Sequence, residues 1–169
     1  ETSEGVFYAR TVALATGANP RKLGLDGETA LTGRGVAYCA ACDGMRYKGK
    51  TVVVVGGGNS AAADALLLSR IAQTVILVHR RDTLRATKVY HPPLMQAENV
   101  VFRWNSTVTE LLHEEKLTGV KLKDSHTGEE TVIPCDGLFI SVGRTPATEL
   151  VQGQLTLDRD GYVVADETT

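Results

Sequence analysis

The sequence has little of what several protein classes require. Three cysteines in 169 residues are too few for a disulfide framework. No run approaches the roughly 18 consecutive apolar residues of a membrane-spanning helix, and with 43% apolar and 22% charged residues the composition is that of a globular domain without a membrane role. A net charge of −2, with Lys and Arg mixed among Asp and Glu, supplies no field for a polyanion and argues against nucleic acid as a partner. There is neither a signal peptide nor an initiating Met, so Glu1-Thr2-Ser3 reads as a point inside a longer protein. The length allows one domain with a real core.

What is there falls into a clear order. Residues 6–15 are apolar and β-rich and predict a strand running into a turn at Ala15-Thr16-Gly17-Ala18. Asn19-Pro20, Gly24 and Gly27 mark a loop, after which a short extended run, Gly35-Val36-Ala37-Tyr38, delivers Cys39. Thr51–Val55 is continuous and β-branched, as a parallel strand buried on both faces should be. Three glycines follow at 56–58, then residues 62–71 carry Ala and Leu at helical frequency, and Thr74–Val78 completes a βαβ unit of about thirty residues. Residues 87–98 would be helical, but Pro92-Pro93 predicts that any helix there is broken or begins late. The remainder, 100–104, 107–112, 117–123, 131–134 and 138–142, is β-rich, with Thr118-Gly119 and Thr127-Gly128 read as hairpin turns. The expected fold is α/β and Rossmann-like: a parallel sheet with helices on one side and an antiparallel β-meander on the other.

The glycine segment fits G-x-G-x-x-A through Gly56, Gly58 and Ala61, between a strand and a helix. Gly56 makes the tight turn, Gly58 lets backbone approach a pyrophosphate, and Ala61 permits close packing of helix on strand. Gly57, Asn59 and Ser60 complete the loop, and the helix N-terminus offers unpaired N–H groups to phosphate. Cofactor choice is read at the end of the next strand, where an acid would bind the ribose of NAD. His79-Arg80-Arg81 stands there instead, with Arg85 following. Guanidinium groups suit a dianionic 2′-phosphate, so NADPH is the expected cofactor.

Cys39-Ala40-Ala41-Cys42-Asp43-Gly44 is the second constellation. A C-x-x-C pair can close a small disulfide, and a neighbouring acid such as Asp43 can move a proton as thiolates form and vanish. Zinc would need two more ligands, and only Cys135 and four scattered His remain, so no metal is expected. A thioredoxin fold is disfavoured because a Rossmann unit follows the pair. Cys135, between Pro134 and Asp136, reads as a strand-end residue.

Taken together, residues 33–58, the His79 to Arg85 cluster and Ala15-Thr16-Gly17 resemble the bacterial, low-molecular-weight thioredoxin reductases along essentially the whole chain. The resemblance implies an FAD/NAD(P)-binding fold in which NADPH reduces FAD, FAD reduces a Cys39–Cys42 disulfide, and the dithiol reduces thioredoxin. It implies that Cys42 faces the flavin, Cys39 exchanges with the partner, Asp43 is the acid, and Val142 and Gly143 lie near the nicotinamide. It further implies a cytoplasmic homodimer, with residues 1–20 closing the flavin domain, 21–145 forming the NADPH domain and 146–169 returning toward the flavin domain. The family's amino-terminal FAD fingerprint and carboxy-terminal Gly-Asp contact are not in the sequence, so this chain by itself is not expected to hold FAD.

The flavoprotein of alkyl hydroperoxide reductase shares the C-x-x-C-D-G and glycine loop but resembles an NADH enzyme, against which His79-Arg80-Arg81 argues. A ferredoxin-dependent relative is disfavoured by the glycine and arginine features together. A dinucleotide-binding module with no turnover of its own is the reading from a different class.

Overall fold

The computed structural model describes residues 3–166; Glu1 and Thr2, at the expected cut point, and the last three residues of the return segment lie outside the described residues. The chain divides into two compact units, Pro20–Gly143 and a smaller one made of Glu1–Asn19 with Arg144–Thr169. In chain order the elements are β1 (Ala18–Pro20), β2 (Val36–Ala37), α1 (Ala40–Asp43), β3 (Thr51–Val55), α2 (Asn59–Ser69) and β4 (Thr74–Val78). There follow α3 (His91–Gln96), β5 (Val100–Arg103), β6 (Ser106–His113), β7 (Leu117–Asp124), β8 (Glu130–Pro134), β9 (Gly137–Ile140) and β10 (Arg144–Pro146).

The larger unit is a five-stranded parallel sheet, order β2-β9-β3-β4-β5, with a three-stranded antiparallel sheet, β6-β7-β8. Strand periodicity assigns each core to one face of the parallel sheet. Val52, Val54, Val75, Leu77 and Phe139 point to the helical side and pack with Ala61, Ala65 and Leu68 of α2 and Leu94 of α3. Val53, Val55, Ile76, Val78, Leu138 and Ile140 point the other way, onto Val108, Leu111, Val120, Leu122 and Ile133 of the meander. A strand covered on both faces has no polar side to show, which is why β3, β4 and β9 read as unbroken apolar runs.

Several expectations are refined or corrected. The first and last of the β-rich stretches after residue 100 form parallel strands β5 and β9, so the meander has three strands. Thr118 and Gly119 lie inside β7, and the β6–β7 turn falls at residues 114–116 instead. A Cβ at Gly119 would stand 2.8 Å from the Ile133 carbonyl oxygen, so that glycine serves close strand approach rather than a turn. Thr127-Gly128 does form the β7–β8 turn, with Gly128 at φ +73°. Pro92 and Pro93 occupy the first turn of α3, where a missing N–H costs no helical bond.

In the smaller unit, residues 6–15 form no strand: they pair with no other strand among the described residues, and Phe7, Tyr8 and Val12 are exposed. β-propensity without a neighbouring edge leaves the backbone unpaired. β1 and β10 form a two-stranded pair, the Ala147 N–H donates to the Gly17 carbonyl (3.0 Å), and the Arg144 guanidinium donates to the Ala18 carbonyl (3.2 Å).

Candidate functional site: a basic cleft and a disulfide

β3, β4 and β9 end together, and their C-terminal ends open onto one cleft of about 840 Å³ in the larger unit, within the roughly 300–1,000 Å³ typical of small-molecule sites. Its floor is the turn from β3 into α2. Gly56 has φ +145°, and a Cβ there would collide with the Ser141 carbonyl oxygen and lie 2.8 Å from the Ala61 Cβ. Only glycine fits, and the fully buried Ala61 keeps α2 close to the sheet. A Cβ at Gly58 would meet nothing within 4 Å. Gly58 is also the N-cap of α2 and supplies no side-chain cap, so the first-turn N–H groups of this 11-residue helix face the cleft at Asn59 and Ser60.

Gly57 has a different reason to be glycine. A Cβ there would overlap the His79 imidazole, which packs directly against the turn. His79 is 5% exposed and its Nε2 is buried without a hydrogen-bond partner. Burial, then the guanidinium groups of Arg85, Arg81 and Arg80, pull the imidazole below its ordinary pKa, against a hydrogen bond with the Thr83 backbone. A neutral ring therefore stands at the cleft, with a polar atom aimed at no protein group.

The segment after β4 folds back over the turn. The Arg85 and Ala86 N–H groups donate to the Gly57 carbonyl (2.7 and 3.0 Å), and the Thr87 N–H donates to Asn59 Oδ1 (2.8 Å). Arg80 and Arg85 consequently line the cleft, whereas Arg81 does not. Val142 and Gly143 line it from the end of β9. The neighbouring Ser141 hydroxyl donates to Asp64 of α2 (2.5 Å), which ties β9 to the helix.

Among the lining residues that escaped the sequence reading are Arg21, Lys22 and Leu23, which follow β1 and bring two further cations. The Arg21 N–H donates to the Gly143 carbonyl (3.0 Å), which holds that segment beside the residues following β9. Arg21-Lys22 is visible as a basic pair after Asn19-Pro20, but nothing local announces which surface it faces. The cleft thus carries four cations and no carboxylate among its described lining residues.

The cysteines stand apart from this cleft, in the same unit. Cys39 and Cys42 form a disulfide with Cα atoms 5.3 Å apart, Cys39 is the N-cap of α1, and its Sγ accepts from the Cys42 N–H (3.1 Å). Cys42 is exposed, Cys39 half-buried, and Asp43 lies 3.6 Å from the Arg46 guanidinium. None of Cys39, Cys42 and Asp43 lines the cleft. Cys135 is a buried free thiol, pushed up to about 12 by burial first and the Asp136 charge second. Among the described residues, no three His, Cys, Asp or Glu side chains gather as a metal site requires, and no helix is long and apolar enough to cross a membrane.

A parallel sheet with a glycine turn at its switch to helix, a basic cleft above it and a C-x-x-C disulfide after an edge strand together make a Rossmann-like unit that also carries a disulfide. A profile of the pyridine nucleotide-disulphide oxidoreductases matches residues 2–169, and the chain belongs to that family. It is 46% identical over 166 residues to a thioredoxin reductase of Streptomyces coelicolor, covering 98% of this chain and 52% of that protein, and 48% identical over 165 residues to that of Streptomyces clavuligerus, covering 97% and 51%. Among solved structures it is similar to the thioredoxin reductase of Lactococcus lactis in its FR conformation, with a TM-score of 0.83 and 39% identity over 89% of this chain and 50% of that one. The chain spans about half the length of the curated relatives it matches.

Proposed function

We propose that the chain is the NADPH-binding, disulfide-bearing part of a cytoplasmic thioredoxin reductase that is homodimeric when whole. The observation that carries the reading is the cleft itself: an open backbone cradle at Gly58, helix N–H groups at Asn59 and Ser60, Arg85 held to the turn through its backbone, and Arg80 lining the same cleft. That donor set suits a dinucleotide diphosphate with an additional phosphate on its ribose. Gly58 and the start of α2 would take the pyrophosphate, Arg80 and Arg85 the 2′-phosphate, and Val142 and Gly143 would border the nicotinamide. Arg81, outside the cleft, would act only through the surrounding field.

In the complete protein FAD would supply the conversion of a hydride into an electron pair that sulfur can accept. The described residues offer one strand–glycine–helix cradle, at residues 56–61, so other parts of a longer chain would hold the flavin. What this chain contributes is the sulfur chemistry. Two electrons and two protons break the Cys39–Cys42 bond and leave two thiols; these then reduce the disulfide of thioredoxin, re-forming their own bond as the partner's two thiols appear. Asp43, beside Cys42, would hold and deliver a proton in these steps. The family resemblance makes Cys39 the sulfur that meets the partner, while in this chain Cys42 is the more exposed of the two.

Calorimetric titration of the 169-residue chain with NADP⁺ and NAD⁺ tests the cleft: tighter binding of NADP⁺ supports the assignment and no binding of either overturns it. The chain alone, even with free FAD, is expected to reduce no thioredoxin with NADPH. The complete protein is expected to do so and to lose that activity in Cys39→Ser or Cys42→Ser.

A further inference from the structure

Glu28 is 2% exposed, carries a carboxylate, and faces only donors. Its Oε1 accepts from the Tyr38 hydroxyl (2.6 Å) and the Leu23 N–H (3.2 Å); its Oε2 accepts from the Gly24 and Leu25 N–H groups (2.8 and 3.3 Å). A carboxylate is costly to bury unless its lone pairs are satisfied, and here each oxygen has two partners. Two stretches of chain are therefore gathered on one side chain. One leads directly from the cleft wall, where Arg21, Lys22 and Leu23 stand. The other ends in Tyr38, the residue immediately before Cys39.

The loop could close without this arrangement. Its own backbone already makes turn bonds from the Glu28 N–H to the Leu25 carbonyl, from Leu31 to Gly27 and from Val36 to Leu31. Those bonds hold residues 25–36 together but fix neither Leu23 nor the Tyr38 side chain. The carboxylate reaches both, sharing the Tyr38 hydroxyl with the Thr32 side chain.

We propose that Glu28 is a positioning residue for both ends of the reaction: it sets the wall that presents Arg21 and Lys22 to the nucleotide and, through Tyr38, the backbone that presents Cys39. The first half rests on the nucleotide reading of the cleft; the second does not. Neither Glu28 nor Tyr38 lines the cleft, so their effects on it run through what they hold.

Two variants separate the halves. Glu28→Gln keeps the volume but turns one acceptor oxygen into an NH₂ facing donors, which disturbs both stretches. Tyr38→Phe removes the hydroxyl, with its bonds to Glu28 and Thr32, and leaves the three backbone bonds to the carboxylate. Two quantities are read on the 169-residue chain: the NADP⁺ dissociation constant by calorimetry, and the rate at which dithiothreitol reduces Cys39–Cys42, followed by thiol trapping, with circular dichroism reporting that each variant is folded. Glu28→Gln is expected to weaken NADP⁺ by about tenfold or more and to shift the reduction rate by about threefold or more; Tyr38→Phe should shift the rate comparably and leave the NADP⁺ constant within about twofold.

Parent-like NADP⁺ binding in Glu28→Gln overturns the proposal. So does a parent-like rate in Tyr38→Phe, which decides the matter if Glu28→Gln does not fold. Equal weakening of NADP⁺ by both variants also overturns it, since that marks general loosening rather than two held ends. An unmodified chain that binds no NADP⁺ brings down the nucleotide reading, and this proposal's first half with it; binding by the unmodified chain and by Glu28→Gln alike brings down the proposal alone.

Discussion

The cleft and the disulfide are built in opposite ways. The cleft draws on residues 21–23, 55–60, the segment after β4, the start of β6 and the end of β9, and its critical surfaces are backbone conformations and buried packing. The disulfide is made within four consecutive residues, on a short helix with one cysteine exposed. One is held by the fold and the other is presented by it. Substitutions in the cleft should therefore divide sharply according to whether a position faces protein or ligand, while changes around the disulfide should be graded by solvent.

The sharpest way to break that contrast is inside the glycine turn. Gly56→Val is expected to destabilise the fold by about 3 kcal/mol or more, because a side chain there meets the Ser141 carbonyl and Ala61 in a backbone conformation that disfavours it. Gly58→Asp, two residues on, should unfold at nearly the parent's urea midpoint yet bind no NADP⁺, since its carboxylate would stand in open space where a pyrophosphate is expected. Parent-like NADP⁺ binding in Gly58→Asp would make the turn structural only.

The sulfurs sharpen the contrast next. A thiol pushed up to about 12 leaves about one part in ten thousand as thiolate at pH 8. After mild reduction of the native chain, iodoacetamide at pH 8 should label Cys42 and Cys39 while Cys135 stays unmodified until urea is added. Peptide mass mapping reads this, and rapid native labelling of Cys135 would contradict the burial described here.

Much of this was legible beforehand, for identifiable reasons. β3, the glycine turn, α2 and β4 follow one another in sequence, so apolar runs and three glycines announced them together. The C-x-x-C was equally local. By contrast, the role of Gly57 depends on His79, and the cationic wall at Arg21 depends on a bond to Gly143. Neither relation has a sequence period. The exclusion of Arg81 from the cleft arises because the chain turns back at Arg85 and Ala86 to reach the Gly57 carbonyl, which a count of arginines could not show. The strand expected at residues 6–15 failed because propensity was read without a partner edge.

The arginines provide a graded test of the cleft. Each charge-assisted hydrogen bond is worth roughly 1.5–3 kcal/mol at best, less where solvent screens it, so NADP⁺ should bind about ten- to a thousand-fold more tightly than NAD⁺. Arg85→Ala or Arg80→Ala should remove much of that preference and Arg81→Ala little of it. Titration of the three variants with both nucleotides checks the ranking; equal losses would mean that position in the cleft does not matter.

Glu28 gives a smaller signal, dependent on pH. Burial alone would raise its carboxyl, but the Tyr38 hydroxyl and then the Gly24, Leu23 and Leu25 N–H groups outweigh this and hold it below the usual carboxylate value. A carboxyl depressed in the folded state binds its proton more readily in the unfolded chain. Its stabilising contribution is therefore complete above the unfolded value, near 4.5, and is lost as pH falls through the folded one. Urea midpoints measured from pH 6 down to pH 3 should fall less steeply in Glu28→Gln than in the unmodified chain. Identical acid limbs would show that the carboxylate is not held as its four partners suggest.

The smallest expected effect lies at the disulfide's own surface. Arg46 and Asp43 approach to 3.6 Å, but the arginine is 69% exposed and the aspartate 33%. Exposed pairs of this kind contribute about 0.2–1 kcal/mol, so Arg46→Ala should alter the rate of dithiothreitol reduction of Cys39–Cys42 by no more than about fivefold, at ~1.4 kcal/mol per decade. Added salt should shrink the difference further, because it screens the pair in the unmodified chain and has nothing to screen in the variant. A tenfold change that persists in high salt would mean that Arg46 holds the sulfur segment through packing rather than charge. The disulfide would then be set by its surroundings as firmly as the glycine turn is, and the contrast between the two regions would fail.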